Sequence, residues 1–126
     1  MTGQATINTY SFETHAFLWD GSAMQDLGSL GGPQSNSFGY AINDKGQVTG
    51  SAYIPGLAEQ HAFLWNGSAM LDLNGLIHPA QPNVTLLVGV DINSHGQIWA
   101  KGYDSSLNEL HAYLVSPAPP GHGRDE

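Results

Sequence analysis

Apolar and polar residues alternate in short stretches along most of the chain, and a turn sequence follows each stretch. The clearest stretch is HAFLW at residues 15–19, which returns at residues 61–65. Alternation of this kind is typical of a strand that buries one face. Asp-Gly or Asn-Gly follows the two copies, at 20–21 and 66–67, and these dipeptides favour two-residue hairpin turns. The pattern therefore predicts antiparallel strands joined by tight turns, with no long helix.

Four kinds of segment recur in a constant order. They are the Gly-Gln segments at 3–11, 46–53 and 96–103, the His-Ala segments at 15–19, 61–65 and 111–115, the Met-containing segments at 22–30 and 68–76, and the Ile-Asn segments at 39–44 and 89–94. The spacing is 43 residues from Gly3 to Gly46 and 50 residues from Gly46 to Gly96. A repeat of this size with four short strands matches one blade of a β-propeller. The predicted fold class is all-β, with antiparallel, β-propeller-like units of about four strands, incomplete in one chain.

The predicted turns set which residues face each other. They place Trp19 opposite Ser22, Phe17 opposite Met24 and His15 opposite Asp26, and in the second copy Trp65 opposite Ser68, Phe63 opposite Met70 and His61 opposite Asp72. Alternation puts His, Phe and Trp on one face of each hairpin and Ala and Leu on the other. A second turn class, at 43–46 and 93–96, opens on Asn and closes on Gly. That arrangement predicts a type I turn that ends in a left-handed glycine.

A single domain is predicted over residues 1–115, with units at 3–45, 46–95 and 96–115 and a disordered tail at 116–126. The segments amount to ten strands, or two and a half units, so the strands at both ends lack partners. The simplest expectation is a homo-oligomer, a dimer in which two chains together complete a small ring. The alternatives are a piece of a longer propeller and a small β fold that never closes.

The charge of the chain limits its partners. Eleven acidic and three basic residues give a net charge of −8, so no basic surface is available to bind nucleic acid or an anionic membrane. There is no cysteine, which excludes a disulfide and a thiolate zinc site. The sequence contains no apolar run long enough to span a membrane, and its first residues have no signal-peptide pattern.

Three signatures together resemble those of a known family. They are HAFLWDG at 15–21, MQDLGSLGG at 24–32 and AINDKGQVTG at 41–50. This combination resembles the HAF repeat family of predicted extracellular bacterial repeat proteins, and the similarity covers residues 3–115. The second copy departs from the pattern after Leu73, where Asn-Gly-Leu-Ile-His-Pro replaces a glycine-rich linker. The resemblance implies a secreted, propeller-like β protein, and it brings no catalytic residues with it.

The repeated His–Asp pairs are the strongest candidates for a catalytic role. A carboxylate beside an imidazole, as expected for His15 with Asp26 and for His61 with Asp72, can orient a catalytic histidine. Repetition in successive units instead favours a structural pair that ties neighbouring strands together. No nucleophile recurs at a matching spacing, and no full set of calcium or zinc ligands is present. We therefore predict no catalytic residue, no metal site and no cofactor.

The aromatic residues offer a different kind of candidate. Trp19 and Trp65 recur at the same strand position and are predicted to pack between units. Trp99 takes the place of Thr49 and should pair with Asp91, so these two are the candidate ligand-binding residues. The sequence thus predicts a non-catalytic scaffold or binding module whose ligand is a glycan or a protein. The alternative is a carbohydrate-binding or carbohydrate-active protein that uses acidic residues such as Asp26 and Asp91.

Overall fold

The computed structural model describes residues 2–8, 13–19, 21–31, 35–54, 59–77 and 82–117. In this part of the chain it has ten strands: β1 (Thr2–Asn8), β2 (Glu13–Trp19), β3 (Met24–Asp26), β4 (Ser37–Ile42), β5 (Val48–Tyr53), β6 (Gln60–Trp65), β7 (Met70–Asp72), β8 (Val84–Ile92), β9 (Ile98–Asp104) and β10 (Glu109–Val115). Every strand pairing is antiparallel, and one 3-10 turn over Leu73–Leu76 follows β7. The predicted all-β, antiparallel class is confirmed.

The strands form three sheets that stack in chain order. The first sheet is β1-β2-β3, the second is β4-β5-β6-β7 and the third is β8-β9-β10. One core cluster joins the first and second sheets, and its members are Ala16, Leu27, Val48, Ala52, Phe63 and Trp65. The other joins the second and third sheets through Ala62, Leu73, Leu86, Ile92, Ile98 and Ala100. The second sheet is therefore buried on both faces, and the described residues show a stack of sheets without a closed ring.

Strand β6 shows why the alternation in the sequence was informative. Phe63 and Trp65 belong to the core shared with the first sheet, while Ala62 belongs to the core shared with the third. Leu64 packs against that second core as well. Because successive side chains point to opposite faces of a strand, the bulky aromatic residues and the smaller aliphatic ones separate as predicted.

The predicted hairpin register is wrong by two positions. Trp19 lies opposite Met24 and Trp65 lies opposite Met70, so neither tryptophan faces the predicted serine. The turn in the second copy is centred on Gly67 and Ser68, because the Asn66 amide donates to the Ala69 carbonyl over 3.2 Å. Gly67 has φ +106°, as the first central position of a type II′ turn requires.

The side chain of Asn66 explains the shift of the turn. Its Oδ1 accepts hydrogen bonds from the amides of Ser68 and Ala69, at 2.9 and 3.0 Å. Asn66 therefore stabilises the turn from the position that precedes its two central residues. Asn is common at such positions because its side chain can accept hydrogen bonds from nearby backbone amides. A shift of two positions leaves every residue on its predicted face, since side chains alternate with a period of two. Asp20, the corresponding residue of the first copy, lies outside the described residues.

The second turn class is confirmed. The Gly46 amide donates to the Asn43 carbonyl over 3.1 Å, and Gly46 has φ +76°. The Gly96 amide donates to the Asn93 carbonyl over 3.0 Å, with φ +80°. The side-chain amide of Asn43 also donates to the Asn93 carbonyl over 3.0 Å, which ties the turn of the second sheet to that of the third.

The first Gly-Gln segment is not structurally equivalent to the segments that its sequence matches. Gly3 lies opposite Phe17, as Gly50 lies opposite Phe63, so Gly3 is the counterpart of Gly50 and not of Gly46. A Cβ at Gly50 would lie 1.9 Å from the Phe38 carbonyl oxygen, so a neighbouring backbone demands glycine there. The two-letter match to Gly46-Gln47 therefore misaligned the first segment.

The sheets begin and end at different residues from the units predicted from the sequence. The boundaries after residues 45 and 95 fall in the β4–β5 and β8–β9 turns, so each Ile-Asn strand shares a sheet with the Gly-Gln strand that follows it. Of the predicted tail, residues 118–126 lie outside the described residues.

The second and third sheets approach each other closely at Gly89. A Cβ at this position would lie 1.9 Å from Oγ1 of Thr49, a fully buried side chain that donates to the Phe63 carbonyl over 2.7 Å. Thr49 cannot move away without losing that hydrogen bond, and its hydroxyl would then be buried without a partner.

We expect Gly89→Ala to destabilise the protein by about 2 kcal/mol or more, because the added methyl forces apart two sheets that are already in contact. The matched control is Gly75→Ala, since a Cβ at Gly75 meets nothing within 4 Å. Urea unfolding of both variants measures the difference. Equal midpoints for the two variants would mean that the sheets do not pack as closely as described.

Candidate functional site

A histidine–aspartate hydrogen bond links neighbouring strands in both of the first two sheets. His15 Nδ1 lies 2.8 Å from Asp26 Oδ1, and His61 Nδ1 lies 2.7 Å from Asp72 Oδ2. The two residues of each pair are diagonal neighbours, because each aspartate lies directly opposite the phenylalanine that follows the histidine by two positions. His15 is 3% exposed, whereas the side chain of Asp26 is 49% exposed. Each carboxylate therefore accepts from an imidazole while keeping contact with water.

Each aspartate also orders the chain that follows it. Asp26 Oδ1 accepts from the Gly28 amide over 2.8 Å, and Asp72 Oδ1 accepts from the Asn74 amide over 2.9 Å. The residue between donor and acceptor is a leucine in both copies, and Leu27 and Leu73 are buried in the two core clusters. One carboxylate thus holds a histidine on the neighbouring strand and turns the chain so that the next leucine enters the core.

Polar side chains then connect this segment to the following sheet. In the second copy, Asn74 donates to the Leu86 carbonyl over 2.9 Å and accepts from the Leu86 amide over 2.7 Å. In the first copy, the buried Ser37 hydroxyl accepts from the Ala16 amide over 2.8 Å and donates to the Gly28 carbonyl. The side chains differ, but both satisfy buried backbone groups where one sheet meets the next.

In the third copy, no aspartate among the described residues pairs with the histidine. His111 is exposed, and its Nε2 lies 2.9 Å from Glu109 Oε1. His61 has a similar neighbour, since its Nε2 lies 3.5 Å from Glu59 Oε2. A glutamate two residues before the histidine is present in all three copies, at 13, 59 and 109. This recurrence was not among the predicted features, although the spacing of Glu and His in the sequence could have indicated it.

The geometry does not present either paired histidine as a general base. The Nε2 of His15 is buried and has no hydrogen-bond partner among the described residues. The Nε2 of His61 faces a carboxylate, Glu59. A catalytic triad needs this second nitrogen beside a nucleophilic hydroxyl or thiol. Within the described part of the chain, neither histidine has that arrangement.

The candidate ligand residues Trp99 and Asp91 lie opposite each other on β9 and β8, as the sequence predicted. Trp99 is 50% exposed, and Asp91 Oδ1 accepts from the Ile92 amide over 2.9 Å. Their counterparts in the second sheet, Thr49 and Ala41, are also paired. Both sheets carry a bulge beside this pair, which supports the equivalence.

The acidic pair of the alternative hypothesis is not brought together. Asp26 belongs to the first sheet and Asp91 to the third, and the second sheet lies between them with a core on each face. A glycosidase needs its two carboxyl groups within about 10 Å of each other across one cleft. These two carboxylates therefore do not form such a pair.

The two repeated tryptophans have different surroundings. Trp65 is 6% exposed in the core between the first and second sheets, in agreement with its predicted packing. Trp19 is 39% exposed on the face of the first sheet that points away from the second, so its predicted packing between units is wrong. The difference follows from the stack, because the second sheet has a preceding sheet to pack against.

The side-chain oxygens of Asn43 and Asn93, which could have been calcium ligands, accept hydrogen bonds within their own turns. Asn43 Oδ1 accepts from the amides of Lys45 and Gln47, and Asn93 Oδ1 accepts from those of His95 and Gln97. In the described ranges, no group of three or more His, Asp or Glu side chains could hold a metal ion.

One carboxylate near the third histidine titrates below its usual range. The Ser106 hydroxyl donates to Asp104 in the β9–β10 turn, and this hydrogen bond is the main reason that the pKa of Asp104 is lowered. Because the folded pKa lies below the unfolded one, the stabilisation is present above the unfolded pKa and is lost as the pH falls through the folded pKa.

No family model, no curated protein and no solved structure matches the chain. No helix in the part that the structure describes is long and apolar enough to cross a membrane.

We expect His61 and Asp72 to be coupled by about 1 to 2 kcal/mol in a double-mutant cycle of His61→Ala and Asp72→Asn, because the hydrogen bond between them is charge-assisted and partly buried. Thermal or urea unfolding of the two single variants and the double variant measures this coupling. His111→Ala is the matched control, since it removes an exposed histidine that has no aspartate and should cost less than about 0.5 kcal/mol. A coupling near zero would contradict the structural role of the pair.

Proposed function

We propose that this protein is a non-catalytic repeat module of propeller-like type that acts as a scaffold or binding unit, and that it belongs with the extracellular HAF repeat proteins it resembles. The observation that carries the proposal is the use of each His–Asp pair. In each pair the imidazole bonds to the aspartate of the neighbouring strand, and the aspartate also accepts from an amide of the following linker. His61 has a further contact, with Glu59, within its own stretch of chain. A repeated motif that joins strands and sheets in this way is expected of a scaffold.

Matching registers support a repeated unit within this proposal. Ala41 pairs with Thr49 in the second sheet, and Asp91 pairs with Trp99 in the third, each next to a bulge. The unit would consist of an Ile-Asn strand, a Gly-Gln strand, a His-Ala strand and a short Met-x-Asp strand, as β4 to β7 are arranged. A stack of such units that continued to turn about one axis would form a propeller.

Association of two copies is part of the proposal. The second sheet has four strands, whereas the first lacks a counterpart of β4 and the third lacks a counterpart of β7 among the described residues. Sheets that expose an unpaired side favour association, which a second copy could provide.

We expect light scattering behind a sizing column to give the mass of two chains, about 27 kDa from a chain of 13.4 kDa. The mass should stay constant on dilution through the column if the association is specific. A monodisperse species of one chain would remove the two-copy assembly and leave a module that functions as a monomer.

The second candidate function is carbohydrate binding at Trp99. An indole that is half exposed on a sheet face, with a carboxylate on the neighbouring strand, is the kind of surface on which a sugar ring can stack. This candidate differs from the first in its ligand and does not require catalysis.

We expect no hydrolysis above the blank when the protein is incubated with a panel of soluble and insoluble glycans, because Asp26 and Asp91 lie in different outer sheets. The Asp91→Asn variant should behave as the unchanged protein does. Turnover that Asp91→Asn abolishes would reject the non-catalytic proposal. Glycan retention that Trp99→Ala removes, without turnover, would support the second candidate.

A further inference from the structure

Strand β10 presents a long, regular and open side. The other strands at sheet edges are short or irregular: β3 and β7 have three residues each, and β1, β4 and β8 each contain a bulge. β10 has seven residues paired with β9 without a bulge, and no strand among the described residues covers its other side. Proteins usually shorten or distort an edge that is not meant to pair. The regular edge of β10 therefore indicates a pairing site.

The first two sheets show what covers this side of the equivalent strand. β3 pairs with β2, and β7 pairs with β6, through three residues of pattern Met-x-Asp. In the second sheet Asp72 lies opposite Phe63 and Met70 lies opposite Trp65. The counterparts of these two aromatic residues in β10 are Tyr113 and Val115, because they pair with Ala100 and Ile98 as Phe63 and Trp65 pair with Gly50 and Val48.

The backbone of β10 has the hydrogen-bonding groups that such a strand needs. In the first sheet the Leu27 amide donates to the Ala16 carbonyl over 3.0 Å, on the side of β2 that faces β3. The counterpart of Ala16 is Ala112. Backbone groups alternate between the two sides of a strand, so Ala112 and Leu114 direct theirs away from β9.

His111 corresponds to the histidines that pair with an aspartate in the first two sheets. In the second sheet the histidine has Glu59 near Nε2 and Asp72 at Nδ1. His111 has Glu109 at Nε2, over 2.9 Å, and no aspartate partner among the described residues. A carboxylate on a strand beside β10 would therefore find a donor that already has the orientation seen in the second sheet.

β10 also offers an apolar surface to the residue that would follow the aspartate of an added strand. Leu73, which follows Asp72, packs in the core that contains Ala62 and Leu64. The counterparts in β10 are Ala112 and Leu114, and Leu114 is 46% exposed. A leucine after the incoming aspartate would cover part of this surface.

A complete further sheet is a less suitable occupant than a single strand. Trp99 and Lys101 stand in the third sheet where the second sheet has the buried Thr49 and Ser51. The third sheet packs directly on Thr49, since a Cβ added at Gly89 would lie 1.9 Å from the hydroxyl oxygen of Thr49. An indole and an ammonium group at these positions prevent another sheet from approaching as closely.

We propose that the open side of β10 binds an extended segment of another polypeptide with the pattern Met-x-Asp-Leu. The segment lies antiparallel to β10 with its aspartate opposite Tyr113, and its carboxylate accepts a hydrogen bond from His111 Nδ1. This is strand addition to a sheet edge, in which backbone bonds supply affinity and the aspartate supplies specificity. The inference rests on the proposed function, because it assigns the binding site of a repeat module.

The first test uses the peptide SAMLDLNGL, the sequence of residues 68–76, added to the full-length protein and followed by NMR and hydrogen exchange. The Leu114 amide should shift and become protected, whereas the Tyr113 amide, already bonded to β9, should change less. A peptide with Asp72→Asn, and separately a protein with His111→Gln, should each bind about tenfold more weakly. The control His95→Gln changes an exposed histidine in the β8–β9 turn and should leave binding unchanged.

The second test does not depend on the affinity of a free peptide. Residues Asn66–Asn74 are inserted after Val115, with the remaining tail retained, so that the chain carries its own strand beside β10. The expected results are a higher unfolding midpoint and a protected Leu114 amide, both reduced when the inserted aspartate is replaced by asparagine. No change in either quantity, together with no binding of the peptide, would overturn the inference.

Two further outcomes separate this inference from the proposed function. A protein that is a single chain in solution and binds the peptide supports the β10 site and removes only the two-copy assembly. A dimer in which the Leu114 amide is already protected, and which the peptide does not dissociate, assigns the edge to a second copy of β10 and overturns the inference.

Discussion

In each of the first two sheets, a hydrogen bond from a histidine to an aspartate on the neighbouring strand controls how the chain leaves the sheet. The aspartate sits at the end of a strand of only three residues, which few backbone bonds would hold in place. Because it accepts from both the imidazole and the amide two residues later, it sets the direction of the linker. The leucine after it then enters the core against the following sheet. One carboxylate thus links the pairing of two strands to the path of the linker and to the burial of the leucine.

The third sheet differs from the first two at the corresponding histidine. His111 keeps its glutamate neighbour but has no aspartate, and the strand that carries it has an open side among the described residues. The face beyond it also changes, with Trp99 in place of Thr49. Among the described residues, the outer face of the third sheet carries exposed side chains where the second sheet has buried ones. The proposed binding is assigned to these departures from the repeat.

Several features could be predicted because they depend on neighbours in the sequence. Alternation predicted which residues share a face of β6, and the Asn–Gly spacing predicted the turn at 43–46. The His15–Asp26 contact was also anticipated, but from a register that was wrong by two positions. The contact survived because a shift of two keeps both residues on one face, and a long side chain reaches its diagonal neighbour. The first Gly-Gln segment was assigned wrongly, because its match to Gly46-Gln47 rested on only two residues. Gly3 is in fact the counterpart of Gly50.

The sequence by itself determined the strand content, the antiparallel pairing of successive strands and the turns that run from Asn to Gly at 43–46 and 93–96, because these follow from periodicity and from the backbone preferences of Gly and Asn. It also located the position at which the repeat changes, at Trp99. Only the tertiary structure decided that Gly89 must be a glycine, since that requirement comes from Thr49, forty residues earlier in the sequence and in another sheet. Likewise, only the stack separates Asp26 from Asp91 and leaves β10 open. Such relations depend on which surfaces meet, and no local pattern in the sequence encodes them.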